Sequence, residues 1–142
     1  MHIEPYLSFK GDCEAAFKFY ERSLGGQVGP IFRYGGSPME GDAPADWSDK
    51  VMHGSMTVGN LVLMGADVPA DRYEEPKGFS LSVQLKSTAE AERIFRELAE
   101  NGKVVLPLAE TFWAARFGMV VDRFGIPWLI NCEAETEVSP SA

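Results

Sequence analysis

The chain has 142 residues, 45% apolar, 11% aromatic and 24% charged, which fits a globular protein of one domain or two small modules. Its 13 Lys and Arg against 21 Asp and Glu leave a net charge of −8, which argues against nonspecific binding of nucleic acid and against docking on an anionic membrane face. Cys13 and Cys132 are too few for a disulfide scaffold. No segment reaches the roughly 20 apolar residues of a membrane-spanning helix. The N-terminus MHIEPYLSFKGD lacks the features of a secretory signal, so a cytoplasmic protein is expected.

In chain order, the first segment sets Ile3, Pro5, Leu7 and Phe9 in alternation with Glu4, Tyr6, Ser8 and Lys10, the period of a half-buried strand. A helix follows from Asp12, its N-cap, to Leu24, with Ala16, Phe17, Tyr20 and Leu24 on one stripe and Gly25-Gly26 closing it. Residues 35–49, rich in Gly, Pro and Asp, form a loop. Val51–Val58 and Leu61–Ala66 read as two strands joined at Gly59-Asn60. After a linker over 65–78, Phe79, Leu81, Val83 and Leu85 alternate with Ser80, Ser82, Gln84 and Lys86. A second helix spans Ser87–Asn101 with the stripe Ala91, Ile94, Phe95 and Leu98. A second pair of strands, Arg116–Val121 and Ile126–Cys132, flanks a turn bracketed by Asp122 and Gly125. Residues 134–142 are small and polar and read as a flexible tail.

The two halves repeat one order. Lys10 and Lys86, Glu14 and Glu90, Phe19 and Phe95, and Gly26 and Gly102 are each 76 residues apart, whereas Gly59 and Gly125 are 66 apart. The drop assigns about ten extra residues to the loop of the first half. Each half reads strand–helix–strand–strand–strand, with modules at about 1–66 and 78–133 forming a single domain over 1–133.

This duplication resembles the vicinal oxygen chelate superfamily of glyoxalases, bleomycin-resistance proteins and dioxygenases. The stretches PYLSFKGDCEAAFKFY, KVMHGSMTVG and ETFWAARFGMVVDRFGIPWLINCE resemble its PhnB-like branch. The resemblance implies an α+β fold of two tandem βαβββ modules whose curved sheets surround a shared cavity, with helices outside, in a homodimer. The alternation agrees: Phe79, Leu81, Val83 and Leu85 would face a helix, leaving Glu4, Tyr6, Ser8, Ser80, Ser82 and Gln84 on the concave side. A solvated face is the plainer alternative.

The resemblance also implies metal ligands on the first and fourth strands of each module, at positions that fall on Glu4, Leu63, Ser80 and Leu129. Of these, Glu4 alone is a good ligand, and His2 and His53 lack motif spacing, so no metal or other cofactor is expected. The branch carries a methyltransferase-like label as well, but no Gly-rich turn with a following acidic residue supports it.

Among single residues, Arg116 would face the cavity with Gly118 and Val120, opposite Phe117, Met119 and Val121, and clamp a carboxylate or phosphate; the alternative is an ion pair with Glu110 or Asp122. For His53 two arguments conflict. Strand polarity turns it to the cavity, while pairing it with Met119 in the repeat turns it to the helix. Phe32, Tyr34, Trp47, Phe112, Trp113, Phe124 and Trp128 could supply a platform or simply pack, with Trp113 the best pocket candidate. Cys13 reads as buried packing.

The resulting expectation is a small-molecule binding protein without the usual metal ligands, its ligand touching Glu4, Tyr6, Ser8, His53, Ser80, Ser82, Trp113 and Arg116. The alternatives are a metal-dependent lyase, isomerase or dioxygenase working through Glu4 and His53, and an interaction module using loop 35–49.

Overall fold

The structure, a computed structural model, is described here for residues 1–134; apart from Ala134, the tail expected at 134–142 lies outside the described residues. The first module runs β1 (Tyr6–Phe9), α1 (Cys13–Leu24), β2 (Gln27–Arg33), β3 (Val51–Val58) and β4 (Leu61–Asp67), with one 3-10 turn at Glu40–Asp42 in the loop. The second runs β5 (Leu81–Leu85), α2 (Thr88–Ala99), β6 (Lys103–Ala109), β7 (Ala114–Val121) and β8 (Pro127–Glu133). The chain divides into two compact units between Glu74 and Glu75. Each module builds one four-stranded mixed sheet, in the orders β1-β4-β3-β2 and β5-β8-β7-β6. The pairs β1–β4 and β5–β8 are parallel, and every other pairing is antiparallel.

The helices form where the apolar stripes predict. In α1, Cys13, Ala16, Phe17, Phe19 and Tyr20 are buried. Burying Phe17 and Tyr20 completely contributes about 1.5–3 kcal/mol each. Gly25 ends the helix at φ +79°, a left-handed conformation that favours glycine, and its N–H reaches the Glu21 carbonyl at 3.1 Å. Asp12 occupies the N-cap position but its side chain caps nothing. Asp67 from the end of β4 does that work: Oδ1 accepts from the N–H of Cys13 at 2.9 Å and of Gly11 at 3.1 Å, and Oδ2 from that of Val51 at 2.9 Å. In α2, Ser87 Oγ accepts from the Glu90 N–H, and Ala91, Ile94 and Leu98 are buried.

Both first strands start later than their alternation suggests. Glu4 precedes β1, while Phe79 and Ser80 precede β5, and Phe79 is half exposed instead of packed under a helix. The two outer strands, β2 and β6, each carry one proline, Pro30 and Pro107, and the ladder register shifts beside both. Proline lacks the N–H an inner strand needs, so these positions suit an edge.

The strand register fixes which side chains share a face. On the helix side of the second sheet lie the pairs Leu81–Trp128, Val83–Ile130 and Leu85–Cys132, continued on β7 by Val120, Gly118 and Arg116. Gly118 sits under α2, where an added Cβ would come within 2.7 Å of the Phe95 ring. This reverses the expectation for β7: Arg116, Gly118 and Val120 turn toward the helix, and Phe117, Met119 and Val121 turn away from it. In the first sheet, Gly54 and Gly65 pair on the α1 side, so His53 and Ser55 point to the other face.

Candidate functional site

The face of each sheet turned away from its helix is ordered in rows. In the first module, Tyr6 pairs with Met64 and Met64 with Ser55; the next row sets Ser8 beside Ala66 and His53 beside Phe32. The Tyr6 hydroxyl crosses between these rows and hydrogen-bonds His53 Nδ1 at 3.2 Å. The His53 ring lies 5.7 Å from the Tyr6 ring and 6.3 Å from the Phe32 ring, tilted by 34° to each. Tyr6 and Phe32 are 51% and 56% exposed, so this cluster is available to a ligand. Partial burial pushes the Tyr6 phenol above the ordinary tyrosine value, with smaller contributions from Cys13 and Tyr34, which keeps it a hydrogen-bond donor at neutral pH.

In the second module the matching rows are Ser82–Leu129–Met119–Leu106 and Gln84–Asn131–Phe117–Ala109. Three side chains form a chain of hydrogen bonds: Asn131 Nδ2 donates to Gln84 Oε1 at 2.8 Å, and Gln84 Nε2 donates to Ser82 Oγ at 2.5 Å. The Trp113 ring stands edge-on to Phe117 at 5.1 Å and to Phe112 at 4.7 Å. Trp113 is 50% exposed.

These rows settle the conflict over His53. Gly54 pairs with Gly65 as Gly118 pairs with Ile130, so the third strands correspond at an offset of 64, and the counterpart of His53 is Phe117, not Met119. Phe117 and Met119 both lie on the open face, opposite to the facing expected for β7, and with that reversal the repeat agrees with strand polarity. The fourth strands correspond at 65: Met64, not Leu63, matches Leu129, since Tyr6 pairs with Met64 and Ser82 with Leu129.

The expected ligand residues therefore separate. Tyr6, Ser8 and His53 share the open face of the first sheet, and Ser82 and Trp113 lie with the open-face residues of the second. Glu4 and Ser80 stand before their strands. Arg116 belongs to the helix side, where Nε donates to Glu92 Oε1 of α2 at 3.2 Å and a terminal nitrogen donates to the Ala115 carbonyl at 2.7 Å. It lines a cleft of about 640 Å³ beside the start of α2, together with Lys86, Ser87, Phe112 and Glu133. The ion pair is real, but its partner is neither Glu110 nor Asp122. A smaller cleft of about 340 Å³ lies beside the start of α1, lined by Asp12, Glu14, Lys50 and Asp67 among others. Burial raises the Asp12 carboxyl above its usual range, and burial first, then the neighbouring carboxylates, drives the Cys13 thiol far up, which suits packing and not nucleophilic use.

Gln84, expected on this side from its alternation, and Phe32, one of the aromatics expected to stack or pack, share these faces with Phe117, which was expected under the helix, and with Asn131, which no pattern singled out. Gln84 was legible from alternation with Val83 and Leu85. Asn131 and Phe117 become legible once β5, β7 and β8 are placed in register.

The donor set does not fit a metal. Leu63 is buried under α1, and the open-face positions on the first and fourth strands include Tyr6, Ser8, Met64, Ala66, Ser82, Gln84, Leu129, Asn131 and Glu133. Of these, Glu133 at the end of β8 is the single histidine, cysteine or carboxylate, and one such ligand does not hold an ion. Among the described residues, no three His, Cys, Asp or Glu side chains group closely enough to hold an ion. No helix among them is long and apolar enough to cross a membrane.

Similarity to known proteins agrees with this architecture. Protein PA1353 from Pseudomonas aeruginosa is 48% identical, superposes with a TM-score of 0.84, and the match covers 94% of this chain and 98% of that one. A PhnB protein from Bacillus cereus has the same fold, with a TM-score of 0.81 at 23% identity over 93% of this chain and 99% of that one. Protein YjdN of Escherichia coli (strain K12) is 33% identical over 139 residues, which span 92% of this chain and 95% of that protein. Residues 2–130 match the family model, and the chain belongs to the Glyoxalase/Bleomycin resistance protein/Dioxygenase superfamily.

Proposed function

We propose that this protein binds a small planar molecule on the sheet faces turned away from its helices, as a binding protein of the glyoxalase/bleomycin-resistance type. The observation that carries this reading is the exposed cluster of Tyr6, His53 and Phe32, three rings converging on one face around a single hydrogen bond. Such a face offers stacking area and a polar handle, and among the described residues no three His, Cys, Asp or Glu side chains group closely enough to hold an ion. We place the protein in the cytoplasm as a homodimer, which sedimentation of the purified chain checks.

A thermal-shift screen over aromatic and anionic small molecules tests the reading. A ligand present at 100 times its Kd stabilises by about 2.7 kcal/mol, a shift of several degrees in Tm. The Phe32→Ala variant is expected to lose most of that shift. A screen without a stabiliser overturns the reading.

The Tyr6–His53 hydrogen bond favours a second reading, proton transfer on a bound substrate with His53 as the base. A pH–rate profile that loses its acidic limb in His53→Gln would support it over binding alone.

A further inference from the structure

The second module's open face carries a polar atom that its surroundings leave without a partner. Asn131 Oδ1 is closed off from water and accepts no hydrogen bond, while the amide nitrogen of the same side chain is committed to Gln84. Turning the amide over does not help, because a buried nitrogen would then be the orphan. Leaving a buried polar atom unpaired costs about 1–3 kcal/mol, and native chains seldom keep one without a use.

The neighbours define what would satisfy it. Ser82 Oγ accepts from Gln84, so its own O–H is left to donate outward. Phe117 stands directly across from Asn131 in the register, with Trp113 edge-on to it and half exposed. Met119 and Leu129 continue the face. None of these six side chains is charged, so an ionised ligand group would be desolvated there with no counter-charge.

We propose that the Ser82–Gln84–Asn131 chain recognises the edge of a neutral, planar ligand bearing a lactam or similar amide. The ligand's N–H donates to Asn131 Oδ1, its carbonyl accepts from the Ser82 hydroxyl, and its ring packs on Phe117 and Trp113. Because Oδ1 is closed to water, the side chains around it must shift for the ligand edge to reach it. This inference rests on the reading that the open sheet faces bind small molecules and adds a ligand class for the second module's face.

The test is a matched set of probes, 2-quinolinone, N-methyl-2-quinolinone and 2-naphthoate, titrated by calorimetry into the wild-type protein and into Asn131→Leu. The N-methyl probe replaces the donor with a methyl group, and the naphthoate carries a charge. 2-Quinolinone is expected to bind at least tenfold more tightly than either. In Asn131→Leu that advantage over the N-methyl probe should vanish, the N-methyl affinity should hold, and the melting temperature should not fall, since the orphan atom is gone. If this variant does not fold, Asn131→Ser carries the same comparison. Equal binding of the two quinolinones, or discrimination that survives the substitution, overturns the assignment and leaves the binding function standing. If no planar compound binds or stabilises the wild type, both fall together.

Discussion

Where the first module sets His53 across from Phe32, the second sets Phe117 across from Ala109. Where Tyr6 rises beside Met64, Ser82 rises beside Leu129. The ladders match row for row, yet the first face carries a hydroxyl–imidazole pair among rings and the second an amide chain beside rings. The duplication preserved backbone pairing, which an entire sheet depends on, and left open-face side chains free to diverge, since each of them affects only what it touches. Each module also keeps one buried aspartate that gathers backbone N–H groups, at different places. Asp67 ties the start of α1 to the start of β3. Asp122 closes the β7–β8 turn, accepting from the N–H of Phe124 and Ile126 and from the Trp128 indole at 2.8 Å.

The comparison can be broken first at those aspartates. Asp67→Ala leaves two buried N–H groups and one partly buried group without their acceptor, and should destabilise by about 3–5 kcal/mol in urea unfolding. Asp122→Ala should cost about 2–3 kcal/mol, because its bonds lie within one hairpin. A larger loss at Asp122 would mean that the turn, and not the helix start, is the more important joint.

A smaller contrast is expected at the paired glycines. A Cβ at Gly118 would lie 2.7 Å from the Phe95 ring and 2.9 Å from the Leu108 backbone, whereas at Gly54 the nearest atom is a Val51 methyl at 3.3 Å. Gly118→Ala should therefore cost about 1–3 kcal/mol, and Gly54→Ala less than about 1 kcal/mol. Equal losses would show that the two helices sit equally close to their sheets.

The smallest contrast concerns two strand-to-helix ion pairs. Arg33 grips Glu14 of α1 with two nitrogens at 3.0 Å each, while Arg116 reaches Glu92 with one. Both pairs are largely solvated, so Arg33→Ala should cost at most about 1 kcal/mol and Arg116→Ala less. The Arg33 hydrogen bond holds the Glu14 carboxyl below its ordinary value. A depressed carboxyl contributes stability above its unfolded pKa of about 4.3 and loses it as pH falls through the folded value, so the Arg33→Ala deficit should disappear in acid. A deficit that persists there would assign it to packing of the arginine stem.

Much of the fold was legible in the sequence because each helix stripe is unambiguous and each is bounded by glycine or a cap. The face of β7 was not. In Arg116–Val121 both alternating sets are apolar or small apart from the arginine, and a glycine buried beneath a helix looks no different from an exposed one. The offset across the hairpins was misread for a related reason. The turns differ in length, two residues at Gly59-Asn60 against the longer Asp122 turn, so glycine-to-glycine matching displaced β3 and β4 by two and one positions. The one-position displacement of β4 put Leu63 in the open-face set, whereas the reversed facing of β7 left His53 ambiguous, since a shift of two keeps a side chain on its face. Tyr6, Ser8 and Ser82 were readable because hydroxyl and hydrocarbon alternate cleanly in β1 and β5. The orphan oxygen of Asn131 depends on which atoms close over it, which no periodicity reports.

Pro30 and Pro107 have a consequence beyond the ladders that contain them. Each sits on the outer strand of its sheet, where a further strand would have to hydrogen-bond to join. A residue with no N–H, set beside a register shift, spoils that template in both modules, so neither sheet can readily recruit a neighbouring copy by simple extension along that side. A chain built by doubling a sheet-forming unit carries its own seed for fibrous growth, and these two rings blunt it.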